Sequence, residues 1–154
     1  MKSGRQRQFE VRASRVMKAS ASAIFRTFVD YAGWTHWAGF GRVAVERAGF
    51  PAHYGAGCIR VLNADGRSGR EEILEAAPDR RVVYRVTQGL PVSNHRAELT
   101  LSAREDSLTD VTWTAQFTAS RWLGSLFRPT LTAVFWRTLR RLERERRRRI
   151  GDAG

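Results

Sequence analysis

The chain has 154 residues, 42% of them hydrophobic, a single cysteine (Cys58) and a formal net charge of +12. That length suits one domain able to bury a sizeable core. One cysteine excludes an internal disulfide framework and a thiolate metal cluster, and no apolar run approaches the ~20 residues needed to span a bilayer.

The charge sits at the two ends. Residues 1–18 carry six Lys/Arg against Glu10, and residues 128–154 carry nine Arg against Glu143, Glu145 and Asp152. The stretch between them is nearly neutral. Basic ends of this kind suit phosphate groups of nucleic acid or an anionic lipid surface. They equally keep a protein soluble, and arginine near a helix C-terminus complements the helix dipole. No apolar segment follows the basic start, so it does not read as a signal peptide, and a cytoplasmic location is expected.

Residues 9–17 alternate partly, with Phe9, Val11 and Ala13 on one face, and predict a half-exposed strand. Ser20 or Ser22 is placed to cap a short helix whose buried face is Ile24, Phe25 and Phe28. Asp30 is placed to cap a second helical turn carrying Trp34 and Trp37, which share a face at three-residue spacing. Strands are then expected at 42–47, 58–62, 70–76 and 81–87. They are separated by Gly55-Ala56-Gly57, the hairpin chemistry of Asn63-Ala64-Asp65-Gly66, and Pro78-Asp79.

After Gly89-Leu90-Pro91, residues 96–103 alternate, with Ala97, Leu99, Leu101 and Ala103 on one side. The last strand alternates most clearly, with Val111, Trp113, Ala115 and Phe117 inward. This is the pattern of an antiparallel sheet with one wet face and one dry face. A helix over 124–149 closes the chain. Its apolar stripe, from Leu126 and Phe127 to Leu139 and Leu142, is wide enough to cross a sheet. Pro129 starts its regular part or bends it near the first turn.

One curved sheet around one long helix leaves a space between them, so this order predicts an internal cavity for a small apolar ligand. The order strand, two short helices, six strands and a long helix resembles the helix-grip fold of the START-like superfamily. Within it, the chain is most similar to the polyketide cyclase/dehydrase and lipid-transport group. The resemblance covers roughly residues 9–149. It is carried by Ala21-Ser22-Ala23-Ile24-Phe25-Arg26-Thr27-Phe28-Val29-Asp30-Tyr31-Ala32-Gly33-Trp34-Thr35-His36-Trp37, by Gly55-Ala56-Gly57-Cys58-Ile59-Arg60 and by Thr109-Asp110-Val111-Thr112-Trp113. It implies an α+β fold and a cavity for a hydrophobic or amphipathic molecule. Members of that family close polyketide rings, carry lipids or quinones, act on ribosomes or serve as stress proteins, and fold alone does not choose among these.

The candidate cavity residues follow from facing. Trp34, Trp37, Trp113 and Phe117 supply aromatic wall, and Phe127, Leu131 and Val134 form the matching wall on the long helix. His95 shares the inward register of Ala97 and Leu99. It reads as a general base, as a group orienting a ligand carbonyl, or as a hydrogen-bonded core histidine. Tyr84 faces inward with Val82 and Val86, and its hydroxyl suits either a ligand oxygen or a backbone carbonyl. Arg60 is polar in an apolar strand, with Glu71 and Glu72 on the next one. It reads as a cross-strand ion pair or as a buried arginine that binds a carboxylate or enolate.

Three histidines without an HExxH arrangement make a metal site improbable, and no cofactor is expected. Gly39-Phe40-Gly41-Arg42-Val43-Ala44 matches a dinucleotide-type pattern but lies between a helical turn and a strand, the reverse of the order that phosphate binding requires. Residues 1–8 are expected to be a basic extension, 9–149 the domain and 150–154 a frayed tail. No outer stripe that demands a second subunit is apparent, so a monomer or weak dimer is expected. Carrier, acid–base enzyme (a polyketide cyclase or dehydratase using His95 or Tyr84) and basic-surface module for RNA or anionic membrane remain as alternatives.

Overall fold

A computed structural model describes residues 5–64 and 66–153. Residues 1–4, half of the expected basic extension, lie outside the described residues, as do Asp65 and Gly154. Among the described residues, seven strands form one antiparallel sheet in the order β1-β7-β6-β5-β4-β3-β2. The strands are β1 (Gln6–Met17), β2 (Arg42–Arg47), β3 (Ile59–Ala64), β4 (Arg67–Ala77), β5 (Arg81–Gln88), β6 (Ser93–Ala103) and β7 (Thr109–Ser120). Helices α1 (Ala21–Val29) and α2 (Trp34–Trp37) follow β1, and α3 (Arg121–Asp152) ends the chain.

The alternation seen in β6 and β7 is realised: Ala97, Leu99, Val111, Trp113 and Ala115 are all buried. Ser20 is the cap of α1, its hydroxyl accepting the Ala23 N–H at 3.1 Å. Asp30 accepts the Gly33 N–H at 3.3 Å. A Cβ on Gly33 would press on the Asp30 carboxylate and displace it from this hydrogen bond.

Three boundaries differ from the sequence reading. Gln6–Gln8 do not form an extension but begin β1, opposite Thr118–Ser120; an edge strand with a solvent face accepts such polar residues. The closing helix starts at Arg121, directly after β7, and runs to Asp152. The expected frayed tail is therefore helical through residue 152. Pro129 lies within the first turns of α3 rather than at its start.

Helix α3 packs chiefly on β1, and to a lesser extent on β7 and α1. Strands β3–β5 curve away from it. Register shifts in β4, between Arg70 and Glu71 and between Ile73 and Glu75, mark where the sheet bends. The β5–β6 ladder stops at the Tyr84–Ala97 pair. The curved half of the sheet and the first half of α3 thus face each other across open space.

Candidate functional site: a cavity with one polar wall

That space is a cavity of about 590 Å3, within the ~300–1,000 Å3 typical of small-molecule sites. Trp34, Trp113, Phe127, Leu131 and Val134 line it, as their facing predicts. Arg60, Tyr84 and His95 supply polar atoms.

Two expected wall residues lie elsewhere. Trp37 is buried against Trp34, with ring centroids 5.5 Å apart, but does not reach the cavity. The single turn of α2 aims only Trp34 inward. Phe117 is stacked on Phe9 and stands behind Phe127, both at 5.5 Å. It supports the wall without forming it.

For Arg60 the cross-strand ion pair is realised, at the wall of the cavity. It follows Cys58 and precedes Leu62 on the inward side of β3, all three buried. Glu71 lies directly opposite on β4, and Arg60 Nε donates to its carboxylate at 2.5 Å. The neighbouring Glu72 faces outward and pairs with Arg85. The Arg60 guanidinium is fully buried beneath three rings, its Cζ 4.7 Å from Tyr31, 4.4 Å from Trp34 and 4.8 Å from Tyr84. Burial opposes its charge, but Glu71, Tyr31 and Tyr84 together more than offset this and its pKa is raised. Its Nη1 and Nη2 are buried without a hydrogen-bond partner among the described residues. A buried cation normally has its donors satisfied, so an acceptor of complementary charge would complete this group.

Tyr84 is tied in by Trp113, whose indole N–H donates to the Tyr84 hydroxyl at 3.0 Å. The phenol proton remains free to donate. Burial, and secondarily Glu71, raises the Tyr84 pKa, so the group is a neutral donor and a weak acid. Trp113 is itself fixed by a parallel stack on Phe135 at 4.4 Å.

His95 sits where the β5–β6 ladder ends. Its Nδ1 accepts the Val86 N–H at 3.1 Å, replacing the missing ladder bond. The proton must then be on Nε2, which has no protein partner among the described residues. Burial lowers the His95 pKa to about 4. The sole lone pair of the neutral ring is therefore occupied, and His95 is a donor, not the general base that its type suggested.

Sequence reading missed Phe40 and Leu90 as wall residues. Phe40 enters through a stack on Trp34 at 5.9 Å, and no local pattern announces it. The Gly39–Ala44 stretch bridges α2 and β2 and holds no phosphate-type turn before a helix. His36 and His53 are exposed.

The chemistry of the site is therefore lopsided. Three donors, on Arg60, Tyr84 and His95, meet an apolar enclosure, and the carboxylate nearby is engaged by Arg60. Such a set stabilises a negative or strongly polar oxygen.

The profile of the family described as polyketide cyclase/dehydrase and lipid transport matches residues 8–146. No curated protein matches the chain. Among solved structures, the Zhui aromatase/cyclase from Streptomyces sp. R1128 is 20% identical, with 96% of this chain and 99% of that one covered at a TM-score of 0.76. A protein from Thermobifida fusca solved by NMR is 24% identical, with 90% and 93% covered and a TM-score of 0.77. A START superfamily protein from Mycobacterium smegmatis is 12% identical, with 90% and 97% covered and a TM-score of 0.76. At these identities the likeness is one of fold.

Proposed function

The chain belongs to the polyketide cyclase/dehydrase and lipid-transport family, and from that premise we propose that it binds a small amphipathic molecule in its internal cavity, apolar body against the α3 wall and an acidic or enolic oxygen toward Arg60. The observation that carries this reading is the Arg60 guanidinium, fully buried at the cavity wall with two donors unpaired among the described residues. Affinity comes mainly from apolar burial, roughly 25 cal/mol per Å2. Arg60, the Tyr84 hydroxyl and His95 Nε2 set orientation.

The test is native mass spectrometry of freshly purified protein, followed by denaturing extraction of whatever is released. It is paired with titration of 2-naphthoate and of the neutral 2-naphthalenemethanol. A stoichiometric amphipathic adduct, or clear preference for the carboxylate, supports the reading. A clean apo mass together with equal, weak binding of both probes counts against it.

The converging donors also favour a second reading, catalysis of ring closure or dehydration by stabilising an enolate-like oxygen. On that reading the enzyme contributes positioning and hydrogen bonds, because His95 lacks a free lone pair. Unchanged turnover of an identified substrate by a Tyr84→Phe/His95→Asn variant would rule it out.

A further inference from the structure

The outward side of α3 has an order of its own. Trp122 and Arg140 are about five helical turns apart and so lie on one line. That line is opposite Phe135, Leu139 and Leu142, which are buried against the sheet. Its first half is apolar: Trp122 is 70% exposed, Leu126 65% and Trp136 38%, with Pro129 and Ala133 exposed between them. This corrects two expectations. Leu126 is not part of the inward stripe, and an outer apolar stripe does exist.

The second half of the line is cationic, with Arg137, Arg140, Arg144 and Arg147 all exposed. The acidic residues of α3 before its last turn, Glu143 and Glu145, are turned inward and buried. Glu143 is held by Arg15 and Arg147, and Glu145 by Arg148 and Arg149. No carboxylate therefore interrupts the outer line from Arg121 to Gly151. At the apolar end, Arg5, Arg7 and Arg121 surround Trp122. That end also borders the cavity, because Phe127 and the exposed Thr130 line its wall, with Gly89 and Leu90 on the facing rim.

We propose that this face of α3 docks the protein on an anionic lipid bilayer, Trp122, Leu126 and Trp136 entering the headgroup region and the arginine row lying on lipid phosphates and carboxylates. Exposed tryptophans favour the membrane–water interface, where an apolar ring and a polar N–H are both accommodated. Arginines add electrostatic attraction to anionic headgroups. A second copy packed in parallel would bring the two arginine rows together, and one packed antiparallel would cover the apolar half but leave the arginine row without a counterpart. A nucleic acid would use the arginines but leave Leu126 and the alanine–proline stretch without a counterpart. The helix lies along the surface and does not cross it: none of the described helices is long and apolar enough to span a membrane. The docked orientation sets the cavity rim at the bilayer, yet the docking itself stands whether or not the cavity reading holds.

The test is co-sedimentation of the full chain with vesicles of phosphatidylcholine alone or mixed with phosphatidylserine, across a salt series. Binding to the mixed vesicles only, weakening with salt, is expected. It should be accompanied by a blue shift of tryptophan emission that Trp122→Ser reduces. Arg140→Gln/Arg144→Gln should weaken partitioning about 30-fold, at about fivefold per arginine. Arg96→Gln, on the exposed side of β6, should change it less than twofold. All these positions are exposed, so thermal unfolding should match the parent. Equal loss with Arg96→Gln, or indifference to Trp122→Ser/Leu126→Ser, overturns the proposal. So does tight binding of single-stranded RNA with no partitioning onto the mixed vesicles.

Discussion

Removing the Arg60–Glu71 pair separates what that pair does for folding from what it does for binding. Arg60 is wholly buried and its Nε bonds Glu71 at 2.5 Å. Glu71→Leu leaves the cation under Tyr31, Trp34 and Tyr84 with no countercharge, a change that typically costs about 3–5 kcal/mol. Arg60→Met/Glu71→Leu removes both charges and fills similar volume with apolar atoms, a change that is typically neutral or stabilising by about 1–4 kcal/mol. Urea unfolding followed by tryptophan fluorescence reads both variants. The double variant should therefore unfold at or above the parent midpoint, and the single variant well below it. Binding should run the other way. A charged hydrogen bond contributes about 1.5–3 kcal/mol, so the double variant should hold 2-naphthoate roughly 10–150-fold more weakly. Its hold on neutral 2-naphthalenemethanol should be unchanged. The reasoning is refuted if Glu71→Leu is as stable as the parent, or if both probes lose affinity equally.

Three further outcomes follow from the same geometry. His95 stays neutral in the fold down to about 4, whereas an unfolded chain takes up that proton near 6.5. Its contribution is therefore complete above pH 6.5 and is lost as pH falls toward 4, by at most about 3 kcal/mol. His95→Asn keeps an acceptor for the Val86 N–H and should flatten this slope in urea titrations from pH 7 to 4; an unchanged slope sinks the assignment. Gly124→Ala sets helix propensity, a gain of about 1 kcal/mol, against a Cβ 2.0 Å from the Phe9 ring. Phe9 is stacked on Phe117 and cannot swing freely, so overpacking of about 1–3 kcal/mol wins and the melting temperature should fall. Val134→Phe adds a ring to the cavity wall and should weaken 2-naphthoate binding without lowering the melting temperature; unchanged affinity means the ligand sits elsewhere.

The fold was legible because its two main signals are physical consequences of one dry face. Val111, Trp113 and Ala115 alternate with threonines because β7 has core on one side and solvent on the other. The helix boundaries were less legible. Helix α3 begins at the residue after β7 with no intervening turn, so no punctuation marks its start. Leu126 reads onto the inward face because it adjoins Phe127, and one residue is about 100° of helix. A wide stripe can be counted on either side of such a pair.

The site was legible as far as local facing carries. Tyr84, His95 and Trp113 point inward by strand parity, and Arg60 shares the parity of Cys58 and Leu62. Facing does not reveal partners. That His95 gives its lone pair to Val86 depends on where the β5–β6 ladder stops, at Tyr84 and Ala97. That Arg60 has two unpaired donors depends on Tyr31, Trp34 and Tyr84 converging from α1–α2 and β5. These are tertiary facts, set by the curvature that the β4 irregularities impose.

The same curvature accounts for the polarity of the cavity. Had β3–β5 packed directly on α3, Arg60 would have met Leu131 and Val134, and a buried guanidinium would have been untenable there. Because the sheet bends away, the cation keeps Glu71 on β4 and the ring faces of Tyr31, Trp34 and Tyr84 about it and is not pressed against the apolar wall of α3. The arginine and the cavity thus depend on each other. A variant that narrows the cavity from α3, such as Val134→Phe, should raise the stability advantage of Arg60→Met/Glu71→Leu over the parent; additivity of the pair change with Val134→Phe would show that they are independent.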